Sequence, residues 1–528
     1  MKVLVSDNLG EIGVQMIRDE EGIEVDVKTG LHPEELKEII GEYDGLIIRS
    51  ATKVTADLLS CATKLKVVGR AGIGLDNVDI PAATERGIAV MNTPGGNTVT
   101  TAEHAIAMIM SLTRNIPRAT ASLKACRWEK KQLQGREVFN KTLGVIGFGN
   151  IGSIAADRAR GLKMNVIVYD PHIAPEHIEK AGYEAVSLEE LYRRSDYITV
   201  HVPKVKATTH LLNKAAFDQM KTGVMVVNCA RGGIIEENDL LEAIESGKVA
   251  GAALDVFETE PPRDHPLLKL DNVIATPHLG ASTREAQTNV AVAVADQIIK
   301  YLKYDTIINA VNVPSVTGEL LKKLAPFLHI ADRTGCLLAQ LSEGEGPLKE
   351  VTIEYTGDFS GLDLLPVTTA VLKGLLTPLV KDSVNSVNAP AYAKKMGIKV
   401  TETVNAESDN YTNLITVKVT TGKGSNTAAA TLFGKNDPRV VRINNFRLEV
   451  IPKGHLALIH NIDKPGAIGS IGSTLGEHKI NIARMMVGQE DDGDRNIIFL
   501  RTDTPITPEV INALNQLPLV VSAITLEL

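Results

Sequence analysis

Three blocks in the middle of the chain each end an apolar run on a residue able to do chemistry. GVMVVNCARGG closes on Arg231, and NVIATPHLGAST closes on His278. Between them, GAALDVFETEPP carries Asp255 at the end of its run and Glu260 before a double proline. A guanidinium binds a carboxylate as a two-pronged fork and polarises a carbonyl beside it. An imidazole exchanges a proton near neutral pH. The pair suits oxidation of a hydroxyl next to a carboxylate, in which a base takes the hydroxyl proton as hydride leaves carbon. Upstream, TLGVIGFGNIGSIAADRARGLKMNVIVYD runs from Thr142 to Asp170 as strand, Gly147-x-Gly149-x-x-Gly152, helix and strand. Gly147 allows a tight turn, Gly149 lets backbone amides approach a pyrophosphate, and Gly152 lets the helix close on the strand. Asn150 and Ile151 lie between the second and third glycines, and the helix that follows, Ile154 to Leu162, turns its positive end to the anion. Asp170 ends the second strand, where a carboxylate accepts bonds from ribose hydroxyls and repels a 2′-phosphate, so the cofactor is NAD rather than NADP.

Taken singly, a satisfied core histidine and a helix-capping glutamate account for His278 and Glu260. Their joint placement at successive strand ends behind a nucleotide fold points instead to a site. Cys229, next to Arg231, invites a nucleophile, but hydride transfer needs none, so the thiol reads as cofactor wall. The histidines lack metal-ligand spacing, and no metal is expected.

These residues need a frame of parallel sheets. Residues 1–98 alternate strands (Lys2 to Ser6, Ile23 to Val27, Gly45 to Arg49, Lys66 to Gly69) with helices, and two strands run into Arg49 and Arg70. Ligands of open parallel sheets gather beyond the carboxyl ends of strands, so two arginines at matching ends make a candidate anion site. Thr100 to Ala119 reads as one long helix crossing between lobes, and Ser282 to Leu302 as a helix closing the nucleotide lobe. Ile307 to Val311 reads as a strand returning to the first lobe. The expected organisation is a substrate lobe (1–98 and 300–316) with a nucleotide lobe (99–299) inserted in it, and a ligand cleft between them.

From Thr317 the pattern changes. Leu348 to Tyr355, Ile398 to Val404, Leu414 to Val419 and Asn426 to Leu432 read as strands, and Pro366 to Leu379 and Pro390 to Met396 as helices. Val441 to Val450 reads as a hairpin turning at Asn444-Asn445. Arg439, Arg442 and Arg447 fit either a solvated sheet face or an anion site. Residues 453–528 give a βαββαβ order, a ferredoxin-like module. The fold class is therefore α/β: two doubly wound Rossmann-like lobes, then an α+β intervening domain (317–452) and a ferredoxin-like domain.

Composition agrees. A chain of 528 residues holds about three or four domains. Aromatics are only 4%, so aliphatic side chains fill the cores, as in parallel α/β sheets. A net charge of −8 without a basic tract argues against nucleic acid and anionic membranes. Four scattered cysteines and no long apolar run point to a reduced, cytoplasmic protein.

The blocks around Arg231, Glu260 and His278, with GLIIRSATKVTADLL, VVGRAGIGLDNVD, VMNTPGGNT and YITVHVPKV, resemble the D-isomer-specific 2-hydroxyacid dehydrogenase family over essentially the whole chain. The closest likeness is to its long, phosphoglycerate-oxidising branch. The resemblance implies NAD-dependent oxidation of 3-phospho-D-glycerate at the head of serine biosynthesis, by a homodimer or homotetramer. It pairs Glu260 with His278, and lines the nicotinamide pocket with Ile151, Val202, Cys229, Ala230, Arg231, Asp255, His278, Leu279, Gly280 and Ala281. It gives the substrate Arg49, Ser50, Arg70, Gly72, Arg231 and His278, with Lys131 a weaker candidate. Ile73 departs from the pattern, which often has a polar residue there. With HNIDKPGAIGSIGSTLGEHKINIA, the last module resembles an ACT domain, which implies serine as effector at Asn461, Asp463 and Asn481. A glyoxylate or hydroxypyruvate reductase would share the triad, and an NAD-sensing corepressor the fold, but neither accounts for the C-terminal third.

Overall fold

The computed structural model describes residues 1–313, 318–359, 361–380, 384–406, 411–434, 437–490 and 494–528. Its first sheet has five parallel strands in the order Glu24–Val27, Lys2–Val5, Gly45–Ile48, Val67–Arg70, Ala89–Asn92. The second has seven, in the order Val273–Ala275, Val249–Leu254, Val224–Asn228, Tyr197–Val200, Thr142–Ile146, Asn165–Tyr169, Glu184–Ala185, and all its pairings are parallel. Chain order reverses at Thr142–Ile146 beside Tyr197–Val200, the switch point where such sheets hold their ligands. The buried strands are aliphatic runs with no polar alternation, because helices cover both faces.

Two helices differ from expectation. The crossing helix is two, Thr98–Thr113 and Ile116–Lys124, broken at Asn115 with φ 51°. Asn tolerates this left-handed conformation, and Pro117 sits in the first turn of the second helix, where no amide donor is missed. The closing helix, Arg284–Tyr304, does not complete the nucleotide lobe. Its Val290, Ala291, Val294 and Ile298 share a core with Val3, Val5, Ile17 and Ile47 of the first sheet. The closing helix meets the helix Glu11–Arg18 closely at Gly13, where a Cβ would stand 2.6 Å from the Ala291 carbonyl oxygen. The Ile307 to Val311 return is a single antiparallel bridge, Ala310 to Met91, rather than a strand. Asn312 extends it with its side chain, accepting from the Val90 amide at 2.9 Å and donating to the Ile88 carbonyl at 2.9 Å. The expected lobe boundary at 316/317 lies outside the described residues.

The C-terminal third contains a helix that its sequence pattern did not suggest, Gly318–Leu341, with Pro326 inside it. It packs on Leu365–Leu376. The sequence divides this region at 452/453, but one ten-stranded sheet runs through both parts. Phe446–Val450 meets Ile482–Gln489 at Arg447 opposite Gln489. One hydrophobic core joins Val417, Val450 and Leu375 to Leu456, Phe499 and Leu526. At the far edge the Gln340 amide grips the backbone of Glu527, donating at 2.9 Å and accepting at 3.0 Å. Arg439 is paired with Asp437 and lies over the Phe433 ring. Among the described residues no helix is long and apolar enough to cross a membrane.

Candidate active site

The strand Thr142–Ile146 feeds directly into the glycine turn. Gly147 adopts φ 92°, and Gly152 touches it so closely that a Cβ would lie 1.9 Å from the Gly147 carbonyl oxygen. Gly149 is the reverse case: a Cβ there would meet nothing within 4 Å among the described residues. The helix Asn150–Gly161 starts just behind it. Val202 packs against the turn, its Cγ1 2.8 Å from where a Gly147 Cβ would stand. Asp170 braces the same turn, accepting from the amides of Phe148 at 2.8 Å and His172 at 2.9 Å. Each of its oxygens keeps a second lone pair. Open space above Gly149, amides at a helix start and a fixed carboxylate at the next strand end fit an NAD pyrophosphate and ribose.

His278 and Glu260 meet at 2.8 Å between Nδ1 and Oε2. The loop bends sharply there, with His278 at φ 54° and its amide donating to the Asp255 carbonyl at 2.9 Å. Glu260 is held in turn by the Phe257 amide at 3.2 Å. The hydrogen bond to Glu260 raises the His278 imidazole above its ordinary value, against the opposing effects of burial and the Arg231 charge. Burial pushes Glu260 up, but the bond and charge of His278 outweigh it and hold the carboxyl low. With Nδ1 engaged, Nε2 is the atom left to exchange a proton with substrate.

Arg231 follows the strand Val224–Asn228. The Asn228 amide donates to its carbonyl at 2.9 Å, and Arg231 Nε donates to Asp76 at 3.0 Å across the cleft. Its guanidinium lies over Gly74, where a Cβ would stand 1.8 Å from Nη2. Arg70 folds over Gly72 in the same way, with Nη1 2.6 Å from the position of a Cβ, and Gly72 adopts φ 154°. Burial, then the charge of Arg231 and that of Arg49, presses Arg70 down to about 10, partly offset by Asp76 and Asp7. Its buried Nε has no hydrogen-bond partner among the described residues. Arg49 is anchored by its amide to Asp7 at 2.6 Å and by Nη1 to the Asn8 carbonyl at 3.1 Å. Three guanidiniums thus gather around Asp76 and Asp7. Ser50 is exposed beside them, whereas Lys131 is exposed in the turn after the second crossing helix.

One residue sits otherwise than its sequence role suggests. The Asp255 side chain is fully buried, and its oxygens accept from the amides of Leu279 at 2.7 Å and Gly280 at 2.8 Å. It therefore holds the turn 278–280 rather than opening onto the cleft, while Ala281 continues the chain beyond it. Cys229 is buried, which pushes its thiol well up, a poor state for a nucleophile.

The sequence matches the NAD binding domain of D-isomer specific 2-hydroxyacid dehydrogenases over residues 106–280. It matches the D-3-phosphoglycerate dehydrogenase intervening domain over 323–444 and an ACT domain over 455–519. A D-3-phosphoglycerate dehydrogenase of Archaeoglobus fulgidus is 43% identical, covering all of this chain and all of its own. One from Bacillus subtilis is 43% identical over all of this chain and 99% of its own. The chain belongs to the D-3-phosphoglycerate dehydrogenase family. A D-lactate dehydrogenase from Aquifex aeolicus, solved with NAD and lactic acid, superposes at TM-score 0.53 with 28% identity, covering 60% of this chain and all of that one. Membership makes the chain an NAD-dependent oxidoreductase of this family, with its Rossmann lobe as the cofactor domain.

In the ACT module, Asn461 is buried, and its Oδ1 has no partner among the described residues. Asp463 is exposed, and Asn481 donates to Asp503 at 2.5 Å. Sequence reasoning missed three residues around the catalytic loop: Asp76, Thr276 and His104. Asp76 stands in the quoted GLDN stretch, but its partner Arg231 is 155 positions away. Nothing local in the sequence signals such a contact.

Proposed function

We propose that this chain oxidises 3-phospho-D-glycerate to 3-phosphohydroxypyruvate with NAD, the first step of L-serine biosynthesis. The observation that carries the substrate choice is the gathering of Arg49, Arg70 and Arg231 beside the His278–Glu260 pair. One guanidinium suffices for the carboxylate of a 2-hydroxy acid. Two more, one buried with an Nε that has no partner among the described residues, suit a distal phosphate.

Arg231 binds the substrate carboxylate and draws electron density from the carbonyl as it forms. Neutral His278 accepts the hydroxyl proton at Nε2, and Glu260 stabilises the resulting imidazolium through Nδ1. Asp170 and the turn Gly147 to Gly152 hold the dinucleotide, which supplies the hydride acceptor when bound. Arg49 and Arg70 hold the phosphate and exclude substrates that lack it. Serine acts as feedback inhibitor at Asn461, Asp463 and Asn481, where the buried Asn461 oxygen and the Asp463 carboxylate can take an ammonium. The working enzyme is a cytoplasmic homodimer or homotetramer.

The test is NADH formation across a panel of D-2-hydroxy acids, with and without serine. The expected result is strong preference for 3-phospho-D-glycerate and inhibition by serine. Equal turnover of glycerate or lactate would overturn the substrate assignment.

A further inference from the structure

The carboxylate of Asp255 lies behind the turn that carries His278, and the chain surrounds it with donors. Thr276 Oγ1 donates at 2.6 Å, and the amides of Leu279 and Gly280 at 2.7 and 2.8 Å. The fourth donor comes from far away in sequence: His104 Nε2 lies 3.2 Å from Asp255 Oδ1 and 3.3 Å from Thr276 Oγ1. His104 belongs to the helix Thr98–Thr113, on the face it shares with Thr101 and Met108 at helical spacing. Thr101 Oγ1 donates to the Gly280 carbonyl at 3.0 Å, and Met108 Sδ lies 4.0 Å from Thr276 Oγ1. One helix face therefore grips the turn 276–280 at both ends.

We propose that His104 is a positioning residue for hydride transfer: it holds the His278 turn through Asp255. This rests on the dehydrogenase reading above. An ionised carboxylate only accepts, and the Thr276 hydroxyl is already donating to it, so His104 presents N–H at Nε2. Burial pushes Asp255 up, yet the hydrogen bonds, that of His104 first among them, outweigh it and keep the group ionised. The groups facing Asp255 are His104 from the helix, Cys229 from the neighbouring strand end, His278 on the turn and Glu260 on the loop before it. The Asp255 charge acts on His278 to raise it. Withdrawing the His104 N–H leaves that charge less compensated, so His278 keeps its proton to higher pH.

The amide nitrogen of Gln reaches the position of Nε2, whereas that of Asn reaches only Nδ1. His104→Gln and His104→Asn are both polar at a partly covered position, so both should fold, which matching melting curves would check. NAD-dependent oxidation of 3-phospho-D-glycerate is then followed against pH. His104→Asn should lose about tenfold in kcat, and the acid limb of its kcat/KM profile should move up by about half a unit. His104→Gln should retain wild-type kcat and the wild-type limb. Equal kcat and equal limbs in the two variants would overturn the proposal. A wild-type enzyme inactive on 3-phospho-D-glycerate would instead overturn the substrate assignment, and the same comparison then runs on whichever D-2-hydroxy acid is turned over.

Discussion

Two alanine substitutions three residues apart should fail in opposite ways. At Gly152 a Cβ would stand 1.9 Å from the Gly147 carbonyl oxygen. That is about 1.5 Å short of ordinary contact; the oxygen is backbone and a Cβ is fixed to the backbone, so neither can rotate away. The helix Asn150–Gly161 must lift off the turn, at a cost of about 1–3 kcal/mol, which lowers the melting temperature by several degrees. At Gly149 a Cβ meets nothing within 4 Å among the described residues, and φ −70°, ψ −162° is open to alanine. Gly149→Ala should therefore fold as well as the wild type, or gain about 0.4–1 kcal/mol through the unfolded chain. Its methyl group instead occupies the approach of the pyrophosphate. The assay is calorimetric melting alongside the KM for NAD. Gly149→Ala should raise KM at least tenfold without loss of melting temperature, and Gly152→Ala should lose both. An unchanged KM in Gly149→Ala would refute the placement of the pyrophosphate, and an unchanged melting temperature in Gly152→Ala would refute the turn geometry.

Glu260 raises His278, and oxidation requires the neutral imidazole, so activity is lost as pH falls through a value above the ordinary imidazole range. Glu260→Gln should move the acid limb of kcat/KM to lower pH and reduce kcat about tenfold or more; a limb that stays in place would refute the pairing. Asp463→Ala should abolish serine inhibition while leaving uninhibited turnover intact, as followed by NADH formation; undiminished inhibition would place the effector elsewhere. Removing residues 453–528 should expose the shared core around Val450 and Phe446 and give aggregated protein on size exclusion. A monodisperse, equally heat-stable fragment would contradict a common core.

Much of the site was legible because its signals are local. The glycine turn, its two strands and Asp170 fit within 29 residues, and Arg231 and His278 each come within a few residues of the end of an apolar run. The helices expected at Pro366 to Leu379 and Pro390 to Met396 fall on Leu365–Leu376 and Ala389–Lys395. What failed depends on partners distant in sequence. Arg284–Tyr304 has the same apolar stripe whichever lobe it covers, and Gly13, some 270 positions earlier, lets it settle on the first. The break at Asn115 rests on one residue accepting a positive φ inside an otherwise helical pattern. Pro326 masks the helix Gly318–Leu341, whose stability comes from packing on Leu365–Leu376. The sheet that crosses the 452/453 boundary is joined at Arg447 and Gln489, and strand edges carry no sequence mark of their partner. Asp255 illustrates the same limit at the site: its position at a strand end was readable, but the direction of its side chain was not.

The most direct measurement is the ratio of kcat/KM for 3-phospho-D-glycerate to that for D-glycerate, in the wild type and in Arg70→Gln. A charge-assisted bond to phosphate contributes about 1.5–3 kcal/mol, or roughly 10–100-fold. The expected result is a loss of that size on the phosphorylated substrate alone, with D-glycerate turnover within a few-fold of wild type. An equal loss on both substrates would mean that Arg70 supports the fold of the lobe and does not read the phosphate, contradicting the role assigned to the guanidinium cluster.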